Sequence, residues 1–269
     1  APETYYAAEY TDLALPEAGL TDLCISGGQV YYALSVAYTE ETGGVKQEKY
    51  RSELYACALD GSNKRRLPDF ERAEIPAGAT FDSESIQWLL PGPEGTILAG
   101  SLFTYSEPDF ENPLVLTNGK EIPNTKFEGG IILRSVSPEG EELCRYTLPE
   151  SGGIYRMQTD SLGNFYYVDE GETIHAFDRS GKECLRLNGP AYIDSLARLS
   201  DGRVAALCAD GSNTAVMPID LAGARFDESL RVPEYYGIQV YPGAFGWDML
   251  VNNGTALYGL NQNGDRGPV

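Results

Sequence analysis

Histidine, paired cysteines, basic charge and long apolar runs are all scarce in this sequence, and each scarcity removes a class of function. His175 is the single histidine in 269 residues. Metal centres built on two or three imidazoles are therefore excluded, and a Ser-His-Asp relay is disfavoured. Five cysteines, Cys24, Cys57, Cys144, Cys184 and Cys208, are odd in number and widely spaced, with no CxxC pair. In apolar strand contexts they are expected to be buried free thiols rather than a zinc knuckle or a disulfide framework. Twenty Lys and Arg stand against forty Asp and Glu, a formal charge of −20, which argues against nucleic acid as a partner. No apolar run approaches the ~20 residues that span a bilayer, and no Gly-rich loop leads into a helix to cradle phosphate.

What the chain does have is tyrosine, eighteen of them, and thirty glycines, a balance that favours strands and turns. The stretch Ile154–Asn188 shows the pattern most plainly. Four short apolar-rich runs are separated by turn clusters such as Asp178-Arg179-Ser180-Gly181-Lys182. Label the four runs a to d. The glycine of the c–d turn then recurs at Gly61, Gly140, Gly181, Gly223 and Gly264, at steps of close to 41 residues from Gly140 onward. A period of about 40–45 residues with four strands is that of propeller blades. The expected fold is all-β: a β-propeller built from four-stranded antiparallel blades, with five repeat units visible.

The units are read as 20–70, 84–150, 154–190, 193–233 and 236–269, forming one propeller domain. Residues 1–19 supply an N-terminal strand for the last blade, because Gly267-Pro268-Val269 stops before a convincing fourth strand. This allows a closed five-bladed ring or a piece of a larger one, and the missing strand favours the larger ring. The chain begins at Ala1 without a signal peptide, as a mature or trimmed secreted protein would.

Three long connections break the repeat: Ala37–Ser52 and Tyr105–Gly130 between b and c of the first two units, and Pro68–Ser83 between those units. In an up-and-down meander these emerge on one face, and loops this long are usually functional. Tyr38, Tyr50, Tyr105, Asp109, Phe110, Glu111 and Phe127 are the candidate binding residues there, an aromatic and acidic groove for a peptide, glycan or partner protein. Asp22, Gln87, Arg156, Asp194 and Gln239 open the a-strands and are the candidates for a central channel. With two carboxylates among them, they leave room for an acid–base pair. No metal site and no cofactor is expected. The Asp- and Gly-bearing turns at Asp160–Asn164, Asp178–Gly181 and Ser200–Gly202 lack the spacing of a calcium loop.

The segment VYYALSV followed by LYACALDGSNKRRL resembles bacterial TolB-like propellers and secreted families built from YWTD-like repeats. The chain as a whole is similar to the N-terminal propeller region of some extracellular solute-binding lipoproteins. These resemblances imply a non-enzymatic role outside the cell or at a bacterial cell surface, and carry over no site residues. The expected function is non-catalytic ligand binding or protein interaction. The alternative is a glycan-processing hydrolase or lyase using axial carboxylates.

Overall fold

Glycines in the left-handed region cut the chain into short antiparallel meanders. Gly27, Gly28, Gly95, Gly163, Gly202 and Gly246 turn a into b, and Gly61, Gly140 and Gly181 turn c into d, all at positive φ. In the fourth repeat this conformation falls on Ala224 (φ 49°), next to the expected Gly223. The structure is a computed structural model that describes residues 19–42, 45–148, 156–210, 213–227, 230–232, 239–243, 246–261 and 265–269.

The fold is all-β, five four-stranded antiparallel blades of the β-propeller class. Blade one is β1 (Gly19–Ser26), β2 (Gln29–Thr42), β3 (Val45–Ala58) and β4 (Arg65–Arg66). Blade two is β5 (Thr80–Pro91), β6 (Ile97–Val115), β7 (Glu121–Val136) and β8 (Glu142–Leu148). Blade three is β9 (Met157–Thr159), β10 (Phe165–Val168), β11 (Thr173–Phe177) and β12 (Glu183–Asn188). Blade four is β13 (Ile193–Arg198), β14 (Val204–Asp210), β15 (Asn213–Asp220) and β16 (Arg225–Phe226), with β17 (Leu230–Val232) added along β15. Blade five is β18 (Gln239–Pro242), β19 (Met249–Asn252), β20 (Leu257–Leu260) and β21 (Arg266–Pro268).

The last of these corrects the expectation of a missing fourth strand: Tyr258, Gly259 and Leu260 pair with Pro268, Gly267 and Arg266. The strand is short, and its Gly and Pro hid it. Residues 1–18, read as a closing strand, lie outside the described residues.

The chain divides into two compact units, Ala1–Leu143 and Cys144–Val269. In the first, Tyr31, Ala33, Leu54 and Ala56 of blade one pack with Ile86, Leu89, Ile97 and Ala99 of blade two. Tyr31 also donates its hydroxyl to the Gly95 carbonyl at 3.1 Å, so its polar tip is satisfied where its ring is buried. In the second, Tyr166, Val168 and Ile174 of blade three meet Leu196, Ala206 and Cys208 of blade four. Leu207 and Val216 of blade four meet Val240 and Val251 of blade five. Tyr31, Tyr32, Tyr166 and Tyr167 are thus packing residues: Tyr32 stacks on Tyr55 at 5.3 Å, and Tyr167 on His175 at 4.7 Å.

The two long b–c connections are not loops. β2 and β3 pair without interruption from Gln29↔Ala58 to Thr42↔Val45, and β6 and β7 continue past the end of β5 to Val115↔Glu121. Cross-strand partners explain why these polar segments pair: Glu41 opposes Lys46, and Glu107 opposes Lys126. A four-residue bulge, 110–113, sits opposite one residue of β7 between the Asp109↔Asn124 and Leu114↔Ile122 pairs. Among the described residues of the three connections, the longest run outside any strand is 68–79.

Candidate functional site

A cleft of about 280 Å³ opens in the first unit, where three segments meet. The β2–β3 ribbon contributes Tyr38, Tyr50 and Ser52, the connector Phe70 and Arg72, and β5 Phe81, Asp82 and Glu84. The b–c ribbon and the d–a connector therefore do converge here, as an up-and-down meander requires.

Three of its lining residues, Phe70, Glu84 and Ser101, make its floor and converge on Arg134 of β7, an arginine with no exposed surface. The guanidinium meets Glu84 at 2.6 Å and Glu142 at 3.2 Å, and donates to Ser101 Oγ at 3.2 Å and to the Glu71 carbonyl at 2.9 Å. Its carbon lies 5.1 Å from the centre of the Phe70 ring. A buried guanidinium is tolerated only when its donors are met. Here the partners come from the connector, β5, β6 and β8, so one side chain ties them together. Glu84 uses its other oxygen to accept the Ala73 amide at 3.1 Å, pinning the connector a second time. Ser52 Oγ accepts the Ile86 amide at 2.8 Å and joins the ribbon to β5.

The cleft's mouth is aromatic and charged. Tyr50 is 62% exposed, and its hydroxyl donates to Glu48 at 2.9 Å, which pushes the phenol's pKa up. Arg51 lies 5.8 Å from the Tyr38 ring centre and Arg72 5.0 Å from that of Phe81. Behind the ribbon Glu53 is buried. Burial alone would raise its carboxyl, but hydrogen bonds from Tyr55 and Arg51 and the charge of Arg66 outweigh that and hold it below 4.5.

The seven expected binding residues fall into three groups. Tyr38 and Tyr50 line the cleft. Tyr105 does not line it and instead packs, with Ile75 and Phe81, against Ala73, Phe103 and Ile132. Asp109, Phe110, Glu111 and Phe127 stand further out on the β6–β7 ribbon and line no part of the cleft. Arg134, Glu84, Phe70 and Phe81 were not among the expected residues. The one visible signal was an arginine interrupting the apolar run Ile131-Ile132-Leu133.

Four of the five a-strand candidates, Asp22, Gln87, Arg156 and Gln239, hold structural partners. Asp22 accepts the Leu89 amide at 2.7 Å and the Leu23 amide at 2.9 Å. Gln87 donates to Ser85 at 2.8 Å. Arg156 bonds Glu172 at 2.8 Å and the Ile193 carbonyl, and stands over Tyr192. Gln239 accepts from Tyr241 at 2.6 Å, and Asp194 is half-buried.

His175 is buried and hydrogen-bonded on both sides, to Glu183 at 2.7 Å and Asp169 at 3.2 Å. A second cavity, about 340 Å³, lies in the second unit among Asp160, Asp201, Asp220 and Asp227. Each of these carboxylates already has partners: Asp160 holds its own turn and the Tyr166 hydroxyl, Asp201 and Asp227 bind Arg203, and Asp220 binds Arg225.

No family model matches the chain, and no curated protein matches it significantly. Solved structures do resemble it. A protein of unknown function from Bacteroides caccae is 13% identical with a TM-score of 0.48, covering 92% of this chain and 80% of its own. A catalytically inactive virginiamycin B lyase from Staphylococcus aureus, with quinupristin, is 14% identical with a TM-score of 0.49, covering 94% and 71%. A luciferin-regenerating enzyme is 11% identical with a TM-score of 0.42, covering 84% and 80%. Identities this low say nothing of shared chemistry.

Proposed function

We propose that the protein is a non-catalytic binding propeller that takes a short glycan or peptide in the cleft between β3, the connector and β5. The observation that carries this reading is the Arg134 anchorage. A cleft whose floor is fixed by a buried, fully engaged cation is pre-organised, and pre-organisation lowers the cost of binding. Above that floor, the exposed Tyr50 ring offers a flat apolar face, while Arg51, Arg72 and Asp82 offer polar recognition. The proposed TolB-like or YWTD-like kinship rests on the first-blade segment VYYALSV–LYACALDGSNKRRL, and the proposed location at a bacterial cell surface on the overall likeness to the propeller region of solute-binding lipoproteins. The hydrolase reading draws no support from Asp22, whose carboxylate is engaged by two backbone amides.

Titration calorimetry against panels of oligosaccharides and short peptides tests the proposal. Binding without turnover, weakened about tenfold or more by Tyr50→Ala, is expected. Chemical conversion of a bound glycan or peptide, or indifference to Tyr50→Ala, would overturn it.

A further inference from the structure

The outer part of the β6–β7 ribbon carries apolar side chains that the blade does not use. Beyond Thr80↔Ser106 no third strand among the described residues accompanies β6, and Phe110 is 75% exposed, Val115 67% and Phe127 72%. Side chains alternate between the faces of a ribbon. By the Ser106↔Phe127, Pro108↔Thr125 and Val115↔Glu121 pairings, Phe127, Thr125, Pro108 and Val115 form one strip. Phe110 is presented from the bulge. Asp109 closes that bulge by accepting the amides of Glu111 and Asn112 and the Asn112 side-chain nitrogen, each at 3.0 Å. These bonds, the Asn112 side chain's first, hold the Asp109 carboxyl below 3.8. The exposed phenylalanine therefore projects from a tied-down support rather than a slack loop.

Two features define what can dock there. Pro108, Pro113 and Pro123 lack the amide hydrogen that a further strand would need, which guards the ribbon against edge-to-edge addition. A partner must engage side chains. The ribbon is also acidic: Glu121 shares the strip's face, Glu111 lies in the bulge, and Glu107, Asp109 and Glu128 stand on the opposite face with Lys126, which is itself bound to Glu128 at 2.5 Å; Lys120 is the other ribbon cation. A second copy of this chain, at −20, or an anionic membrane would be repelled. We propose that the ribbon tip is a docking surface for a protein partner presenting a basic segment with apolar side chains. It is separate from the cleft, so either proposal can fail alone.

The test uses the whole chain and a fluorescent peptide in which lysine and leucine alternate with serine spacers. Anisotropy should report binding that weakens as salt is raised. Phe110→Ser with Phe127→Ser should cost about tenfold or more in affinity, while Tyr50→Ala changes nothing. Both ribbon phenylalanines are exposed, so an unchanged thermal midpoint confirms folding of the double variant. The proposal is overturned if the lysine peptide does not bind, if its glutamate-for-lysine counterpart binds equally, or if the double variant binds as wild type. It is also overturned if the wild type alone sediments as a dimer that the double variant abolishes, or if it pellets with phosphatidylcholine–phosphatidylglycerol vesicles through Phe110 and Phe127.

Discussion

Arg134 meets Glu84, a lining residue of the first unit's cleft, at 2.6 Å, with the arginine withdrawn completely from solvent. Such a pair contributes little net stability when formed, because desolvation offsets attraction, but losing one partner strands the other. Arg134→Met should therefore cost about 3–5 kcal/mol, read by urea unfolding. Adding Glu84→Gln to that variant should recover part of the loss. A cost below about 1 kcal/mol would place the pair with ordinary surface ion pairs and remove the basis for a pre-organised cleft.

Neighbouring glycines in the first turn give an internal control on backbone strain. Gly27 (φ +56°) and Gly28 (φ +76°) are both left-handed, so alanine at either should cost on the order of 1–2 kcal/mol. At Gly28 the new Cβ meets nothing within 4 Å, whereas at Gly27 it would lie 2.6 Å from the Gly95 Cα. Gly27→Ala should lose roughly 1–3 kcal/mol more than Gly28→Ala. Equal losses in thermal or urea unfolding would mean that the two blade turns do not touch as described.

Acid should weaken blade three through His175. The imidazole's hydrogen bond, then its charge and that of Arg186, hold Glu183 below 4.5 against partial burial. Asp169 feels burial first, but the Thr173 amide and His175 overcome it and hold it below 3.8. A carboxyl with a lowered folded pKa stabilises the fold fully above its unfolded value and loses that contribution as pH falls through the folded one. Stability should decline as pH drops below about 4.5, and less steeply in Glu183→Gln. Parallel pH profiles for the two proteins would show that the His175–Glu183 contact has no energetic weight.

The thiols should sort by burial. All five are free, but two differ from the buried state expected from sequence: Cys184 is exposed and Cys144 half-buried. Burial pushes the Cys24 thiol up to about 12 and that of Cys208 to about 11, so both resist forming the reactive thiolate. Labelling of the native protein with a disulfide reagent near pH 8 should begin at Cys184, with Cys24, Cys57 and Cys208 reacting only on unfolding. Early labelling of Cys24 would contradict the burial of its side chain between blades one and two.

The blades were legible in the sequence because a tight turn needs a particular backbone conformation, and Gly61, Gly140 and Gly181 supply it at a fixed period. The ribbons were not. Their prolines, asparagines and charges read as loop, since an exposed two-stranded extension has no core face to impose an apolar alternation. Only the pairing of Glu107 with Lys126 or Glu41 with Lys46 marks them, and that becomes visible once the register is known. Arg134 was hidden for a different reason: its partners Glu71, Glu84 and Glu142 are scattered along the chain, and no local pattern announces that they converge.

The unbroken ladder between Gln29↔Ala58 and Thr42↔Val45 has a consequence for engineering. A hairpin that grows outward from a blade can be trimmed or lengthened two residues per strand, each step preserving which side chains face the blade. A single-residue insertion in one strand would swap the faces beyond it. The outer end of the β2–β3 ladder is thus a port at which foreign sequence of even increment can be displayed without touching the core below.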